Sequence, residues 1–373
     1  MKTTVMRAFL AVAMLGVIGA PDTGIRDVPE RLSDAAFWQV VEETSEPGGY
    51  FRSDNFVSNE GELQYVISEL ERVVPKGRAY VGVGPEQNLT YIAALEPSVA
   101  FIVDIRRQNL VHHLMFKALM EMSGDRVDYL ERLLSRPRPD GVDSTSTVSA
   151  LFNGFAMVAP DTLLFRTTLA SIERHLEAHR GRPLDAQDAA TLLYVFGAFA
   201  EAGGDLTYSF GQMNGRRFGG RMPTLAEIMT ETDEHGVQRG YLASEENYDA
   251  VRQLHERNLI IPVVGDFGGE QALRAVGTWL RRHGAIVGVF YASNVEQYLF
   301  RQSPSAARFY ANLRTLPLDS TSTFVRSVTG RGWVPLRNPR SRMAQLTMPM
   351  QPMLRAIERG QVANYAELVM LRP

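Results

Sequence analysis

Two glycines, a glutamate and an aspartate carry the most chemical information in this sequence. Gly82 and Gly84 close the segment AYVGVG, Glu86 follows, and Asp104 ends the apolar run VAFIVD. A glycine turn between a strand and a helix lets the main chain approach a ligand closely, and the helix behind it presents free N–H groups. Asp104 stands 20 residues after Gly84, where a carboxylate at a strand end can accept both hydroxyl hydrogens of a ribose. The combination is a grip for an adenosine-type ligand; the plainer reading of the same residues is a tight turn and a capping aspartate. Glu86 and Gln87 stand where a third glycine of G-x-G-x-x-G would fall. A glutamate at a helix start suits the macrodipole but opposes a pyrophosphate, which needs the same positive end. No Lys-Ser/Thr pair of a phosphate loop follows. The site therefore favours an adenosine ligand without phosphates over NAD, FAD or ATP.

Other polar groups are less specific. Asn55, Ser58, Asn59 and Glu60 form a polar cluster ahead of the first strand, with the composition of a solvated loop but a position that could close over a ligand. His175 and His179 are four apart, but HLEAH is not HExxH and no third ligand is evident, so an exposed basic helix end is expected and no metal. His112 and His113 are adjacent on a helix and point apart. There is no GxSxG and no kinase signature set.

The elements that must hold these residues read as an α/β alternation. Strands are expected at Ala79–Val83, Val99–Val103, Leu259–Val264, Ala285–Tyr291 and Thr323–Val328, and helices at Asn88–Leu95, Asn109–Met122 and Glu270–His283. Ser33 and Ser244 are expected helix caps. The domain reading is a leader at 1–24, an N-terminal helical cap at 25–77, and a Rossmann-like core at 78–123 and 241–330. An inserted, mainly helical lid or subdomain at 124–240 and a C-terminal tail at 331–373 complete it. The pentapeptide DSTST occurs at Asp143–Thr147 and Asp319–Thr323, in each case as a helix or strand start.

The run Ala79–Asp104 resembles the class I S-adenosylmethionine-dependent methyltransferases, and Leu259–Asn294 resembles them more loosely. The resemblance implies a Rossmann-like three-layer sandwich with a mostly parallel sheet and S-adenosylmethionine as cofactor. It implies that Gly82 and Gly84, with Glu86 beside them, hold the methionine part, Asp104 the ribose, and Asp266 in PVVGDFGG the adenine amine. Arg78 and Ala79 stand where that family carries an acid near the start of its glycine motif. The stretches SEPGGYFRSDNFVSNE, YLASEEN and YASNVEQYL resemble a bacterial family of unknown function on the same fold. Methyl transfer asks for alignment of donor and acceptor and at most removal of a proton, because the sulfonium is already activated. Candidate catalytic groups at the strand ends are Asn294, Tyr291 and Glu245. The alternative is a non-catalytic binding or structural module that keeps the fold.

Composition sets the outer bounds. The 373 residues are 45% hydrophobic and 22% charged with a net charge of −3, an ordinary globular balance with no nucleic-acid footprint. A small-molecule ligand is the expected partner. The absence of cysteine excludes disulfides, thiolate metal sites and cysteine nucleophiles. Lys2 and Arg7 precede the apolar run Ala8–Ala20, which reads as an export leader and is too short for an ordinary membrane span. Export to the periplasm or outside is the expectation if it functions, and a cytoplasmic location if it does not.

Overall fold

A computed structural model describes residues 27–209, 222–302, 304–329, 334–337 and 341–371. The leader at 1–24 lies outside them, as does the glycine-rich stretch after residue 209. The described residues form a Rossmann-like three-layer α/β sandwich around a six-stranded sheet.

Helix α1 (Asp34–Thr44) is capped by the Ser33 hydroxyl, which accepts the Ala36 N–H. A 3-10 turn and α2 (Ile67–Val73) lead to β1 (Ala79–Gly82), α3 (Gln87–Leu95), β2 (Ala100–Asp104) and α4 (Arg107–Met122). The insertion follows as α5 (Arg126–Leu134), α6 (Val148–Ala156), α7 (Thr162–Arg180), α8 (Ala186–Ala202) and α9 (Leu225–Thr230). The core resumes with α10 (Glu245–Glu256), capped by Ser244, then β3 (Ile260–Val264), α11 (Ala272–Arg282) and β4 (Val287–Tyr291). It ends with α12 (Val295–Leu299), α13 (Ser305–Leu313), β5 (Thr323–Thr329), β6 (Met343–Pro349), α14 (Met350–Glu358) and α15 (Tyr365–Met370).

The strand order is β3-β2-β1-β4-β5-β6. The first five strands run parallel, in registers such as Val81 beside Phe101 and Phe290 beside Phe324, and β6 is antiparallel to β5. Every residue of β1 to β4 is buried, as continuous apolar strands covered on both faces must be. The chain builds outward from β1 to β3 and then returns to place β4 on the other side of β1. Order reverses there, and in open α/β sheets such a switch point leaves a crevice at the strand C-termini.

Helices α3, α4 and α10 pack together on one face, and α11 and α13 on the other. Helix α4 is buried almost all round because α5, α7 and α8 of the insertion cover its outer side. Val127, Leu130, Ile172, Val195 and Phe199 thereby join one continuous core with the sheet. The tail also takes part in the core, since β6 pairs with β5 from Thr323–Pro349 to Thr329–Met343 and carries the sheet beyond residue 330. Both DSTST copies fold alike: Asp143 Oδ1 and Asp319 Oδ1 each accept the N–H and hydroxyl of the threonine two residues on. One copy leads into α6 and the other into β5.

Candidate functional site

A cavity of about 210 Å³ opens at the C-terminal ends of β1 to β4. Of the eight residues assigned to cofactor binding or catalysis from the sequence, Gly84, Asp104, Asp266 and Asn294 line it, joined by Asn55 and Asn59 of the polar cluster. Gly82, Glu86 and Tyr291 lie beneath the lining, and Glu245 lies elsewhere.

The glycine turn is built from inside. Asn88 Nδ2 donates to the carbonyls of Val83, Gly84 and Pro85 at 2.8–3.0 Å, and its Oδ1 accepts the Tyr80 hydroxyl at 2.9 Å. A Cβ at Gly82 would stand 2.1 Å from Asn88 Oδ1, so Gly82 makes room for this amide rather than for a ligand. Gly84 has φ +85°, the left-handed conformation that favours glycine, and it faces the cavity. From below, His113 Nε2 donates to the Gly84 carbonyl at 2.9 Å. Burial pushes this imidazole down to about 4, against the opposing pull of that carbonyl and of Asp104, so it is neutral at neutral pH.

Glu86 is fully buried at the start of α3. Its Oε1 accepts the Ser58 N–H at 3.0 Å. Burial raises its pKa to about 8, the bonds from the Ser58 N–H and its own N–H lowering it and Glu60 raising it further. Glu86 is the N-cap residue of α3, but its side chain makes no capping bond to the helix. Gln87 lines the cavity while 3% exposed, and its amide donates to the Tyr291 hydroxyl at 3.3 Å.

Residues 45–60 cross the whole C-terminal edge of the sheet as a strap. Glu46 N–H bonds the Val264 carbonyl at the end of β3, and Gly49 N–H the Ile105 carbonyl after β2. Ser58 reaches Glu86 beside β1. Glu60 ends the crossing: its carboxylate accepts the Tyr291 hydroxyl at 2.5 Å, Gln345 Nε2 at 3.1 Å, and the hydroxyls of Ser293 and Ser327. The strap contributes Tyr50, Phe51, Asn55 and Asn59 to the cavity. The polar cluster around Asn55 to Glu60 is therefore fastened across the site.

Asp104 is 4% exposed and held by Arg106, which is 6% exposed. Arg106 Nε and a terminal nitrogen donate to the two carboxylate oxygens at 3.0 and 2.9 Å, and its backbone N–H adds a third bond at 2.9 Å. The other terminal nitrogen reaches the Asp54 carbonyl at 2.6 Å. Asp266 is half-buried; its Oδ1 accepts the Gly268 N–H at 2.9 Å, and its N–H donates to Glu46. Phe51 and Tyr298 meet edge to face, 5.3 Å between centroids, as an apolar wall.

Of the candidate catalytic groups, Asn294 lines the cavity, and its side chain does not cap α12. Tyr291 is buried and its hydroxyl is committed to Glu60. Glu245 accepts the Arg126 N–H at the start of α5 and pairs with its guanidinium at 3.5 Å. Arg106, Gln87, Phe51, Tyr208 and Tyr298 were not foreseen. Only Arg106 had a readable signal, a cation two residues after the strand-end acid.

The His175–His179 helix end is not the exposed basic terminus expected. His175 Nε2 lies 2.6 Å from Glu121 Oε2, and His179 accepts the Trp38 indole N–H at 3.1 Å and faces Asn258 at 2.8 Å. These bonds join α7 to α1 and α4. Among the described residues no three His, Asp or Glu side chains are grouped to hold a metal ion. Among them, too, no helix is long and apolar enough to cross a membrane.

The family described as a domain of unknown function (DUF7790) matches residues 55–188 and 217–366, about three quarters of the chain. The chain belongs to the DUF7790 family. The matched segments carry β1 to β6 and all the cavity residues except Tyr50, Phe51 and Tyr208, so the DUF7790 match includes the switch-point site. No curated protein matches the chain.

Proposed function

We propose that the switch-point cavity binds an adenosine-type ligand, S-adenosylmethionine, and that the chain is a methyltransferase-like protein acting on an unspecified acceptor. The observation that carries this reading is the convergence of Gly84, Asp104 and Asp266 on one cavity at the β1–β4 reversal. The lining offers such a ligand Asp266 for an exocyclic amine, Phe51 and Tyr298 for a flat base, a glycine turn free of side chains, and Asp104 for a diol once its pairing with Arg106 is given up. Among the described residues the cavity lining holds no lysine, and its arginine, Arg106, is already paired with Asp104. S-adenosylmethionine supplies a methyl group already activated on sulfonium. The chain's part is to orient it and to exclude water.

One observation favours a second reading, a binding module that does not catalyse. Tyr291 and Glu245, two of the three candidate catalytic groups, are occupied by Glu60 and Arg126, and of the three only Asn294 lines the cavity.

Thermal unfolding with S-adenosylmethionine and S-adenosylhomocysteine tests the common part. Ligand at one hundred times its dissociation constant stabilises by about 2.7 kcal/mol. An unchanged Tm at millimolar concentrations of both would sink the reading. Binding without methyl transfer to any added acceptor extract would favour the module.

A further inference from the structure

The edge of Asp104 that a ribose would use already has an occupant. A vicinal diol meets a carboxylate with two O–H donors side by side, one on each oxygen. The Arg106 guanidinium presents two N–H donors in the same arrangement, at 3.0 and 2.9 Å. Both residues are more than nine-tenths buried, so solvent does not loosen the pair as it would at a surface. The remaining terminal nitrogen of Arg106 donates to the Asp54 and Ser53 carbonyls, and Gln108 Nε2 also bonds Asp54. The guanidinium further lies 6.0 Å from the Phe51 ring centre. One side chain therefore covers the acid and ties the strap to it.

We infer that Arg106 is a specificity-determining residue: it occupies the diol-binding edge of Asp104 and yields only to a ligand that brings two adjacent hydroxyl donors. This rests on the adenosine reading above and adds a condition to it. A nucleoside without both hydroxyls leaves Asp104 short of donors if Arg106 departs, and it meets a closed edge if Arg106 stays. Departure of Arg106 also removes its bonds to the Ser53 and Asp54 carbonyls, while the Gly49 N–H on Ile105 and Gln108 Nε2 on Asp54 still hold the strap on either side of Phe51. The wild-type affinity is the intrinsic affinity multiplied by the fraction of molecules in which the pair is open.

Titration calorimetry of the full chain with S-adenosylhomocysteine, adenosine and 2′,3′-dideoxyadenosine tests this in the wild type, Arg106→Lys and Arg106→Met. The expected result is at least tenfold tighter binding of the two diol ligands by Arg106→Met, a smaller gain for Arg106→Lys, and no gain for the dideoxy compound. A variant that merely loosened the fold would not separate diol from dideoxy ligands. Arg106→Lys keeps a charge beside Asp104 and carries the test if Arg106→Met fails to fold. Equal or weaker diol binding by the variants, with binding by the wild type, overturns the role of Arg106 and leaves the adenosine reading standing. No binding of any of the three compounds by any form overturns both.

Discussion

Glu86 is a carboxyl group that its surroundings keep neutral, and this has a thermodynamic consequence. Its folded pKa, about 8, lies above the ordinary carboxylate value of 4.5. Between these two values the folded chain holds a proton that the unfolded chain has lost, so stability falls as pH rises through that window. The loss across the window is on the order of 3–5 kcal/mol. Glu86→Gln keeps the shape and the acceptor for Ser58 but cannot ionise. Urea unfolding from pH 4.5 to 9 should show a steeper decline in the wild type, with the variant the more stable of the two at pH 9; parallel profiles would refute the assignment. Gly82 offers a steric test on the same turn. An alanine Cβ would collide with Asn88 Oδ1 at 2.1 Å and with Tyr80 at 2.7 Å. Asn88 holds three turn carbonyls and cannot give way cheaply. Gly82→Ala should cost about 1–3 kcal/mol, whereas Gly124→Ala, with nothing within 4 Å of the new carbon, should be near neutral in the same denaturation assay.

Among the elements, the strap depends on few anchors, and Glu60 is the last of them. Tyr291, Ser293, Ser327 and Gln345 come from the ends of β4, β5 and β6 and all donate to this one carboxylate. Glu60→Ala leaves these buried donors without their acceptor, and the cost should be about 3 kcal/mol or more. The amides of residues 55–60 should then exchange with solvent markedly faster, while those of β1 and β2 keep their protection. Unchanged exchange at 55–60 would mean that the strap is held by its other contacts. The strap also shows where sequence reading stops. Runs such as VAFIVD and IIPVV declare themselves as buried strands because β-branched and aromatic residues dominate them, and Pro262 sits on the edge strand β3, where a proline is tolerated. Gly84, Asp104, Asp266 and Asn294 could be placed at one crevice because strand ends in an α/β alternation share an edge. EPGGYFRSDNFVSNE has only loop composition; its order comes from hydrogen bonds to partners as distant in sequence as Gln345. The commitments of Tyr291 to Glu60 and of Glu245 to Arg126 are likewise tertiary facts with no local signature. Strand β6, MAQLTMP, has an irregular inside-outside pattern that no period of two reveals.

At the scale of the molecule, the segment beyond residue 330 is part of the core, although its Met-, Arg- and Pro-rich composition suggests a tail. Seven residues of β6 pair with β5 and protect its outer edge. Behind that edge lies a buried ion pair, Arg326 Nε to Glu296 Oε2 at 2.8 Å, with the Tyr310 hydroxyl on Glu296 at 2.7 Å. The C-terminal helices complete it: Arg326 donates to the Leu368 carbonyl at 3.3 Å and lies 2.9 Å from the Met353 sulfur. A chain ending at residue 330 would expose the β5 edge, a template for pairing between molecules, and would uncover Arg326 on the same side. Losing part of the surroundings of a buried pair is costly because its charges then lack compensating bonds. Such a truncation should accumulate in the insoluble fraction. Any soluble portion should unfold well below the full chain and bind apolar dyes. A chain ending at 371, which keeps β6 and both C-terminal helices, should match the full chain in Tm. If the 330 truncation instead stayed soluble with an unchanged Tm, β6 would be an appendage, and the sheet would be stable with β5 as its edge.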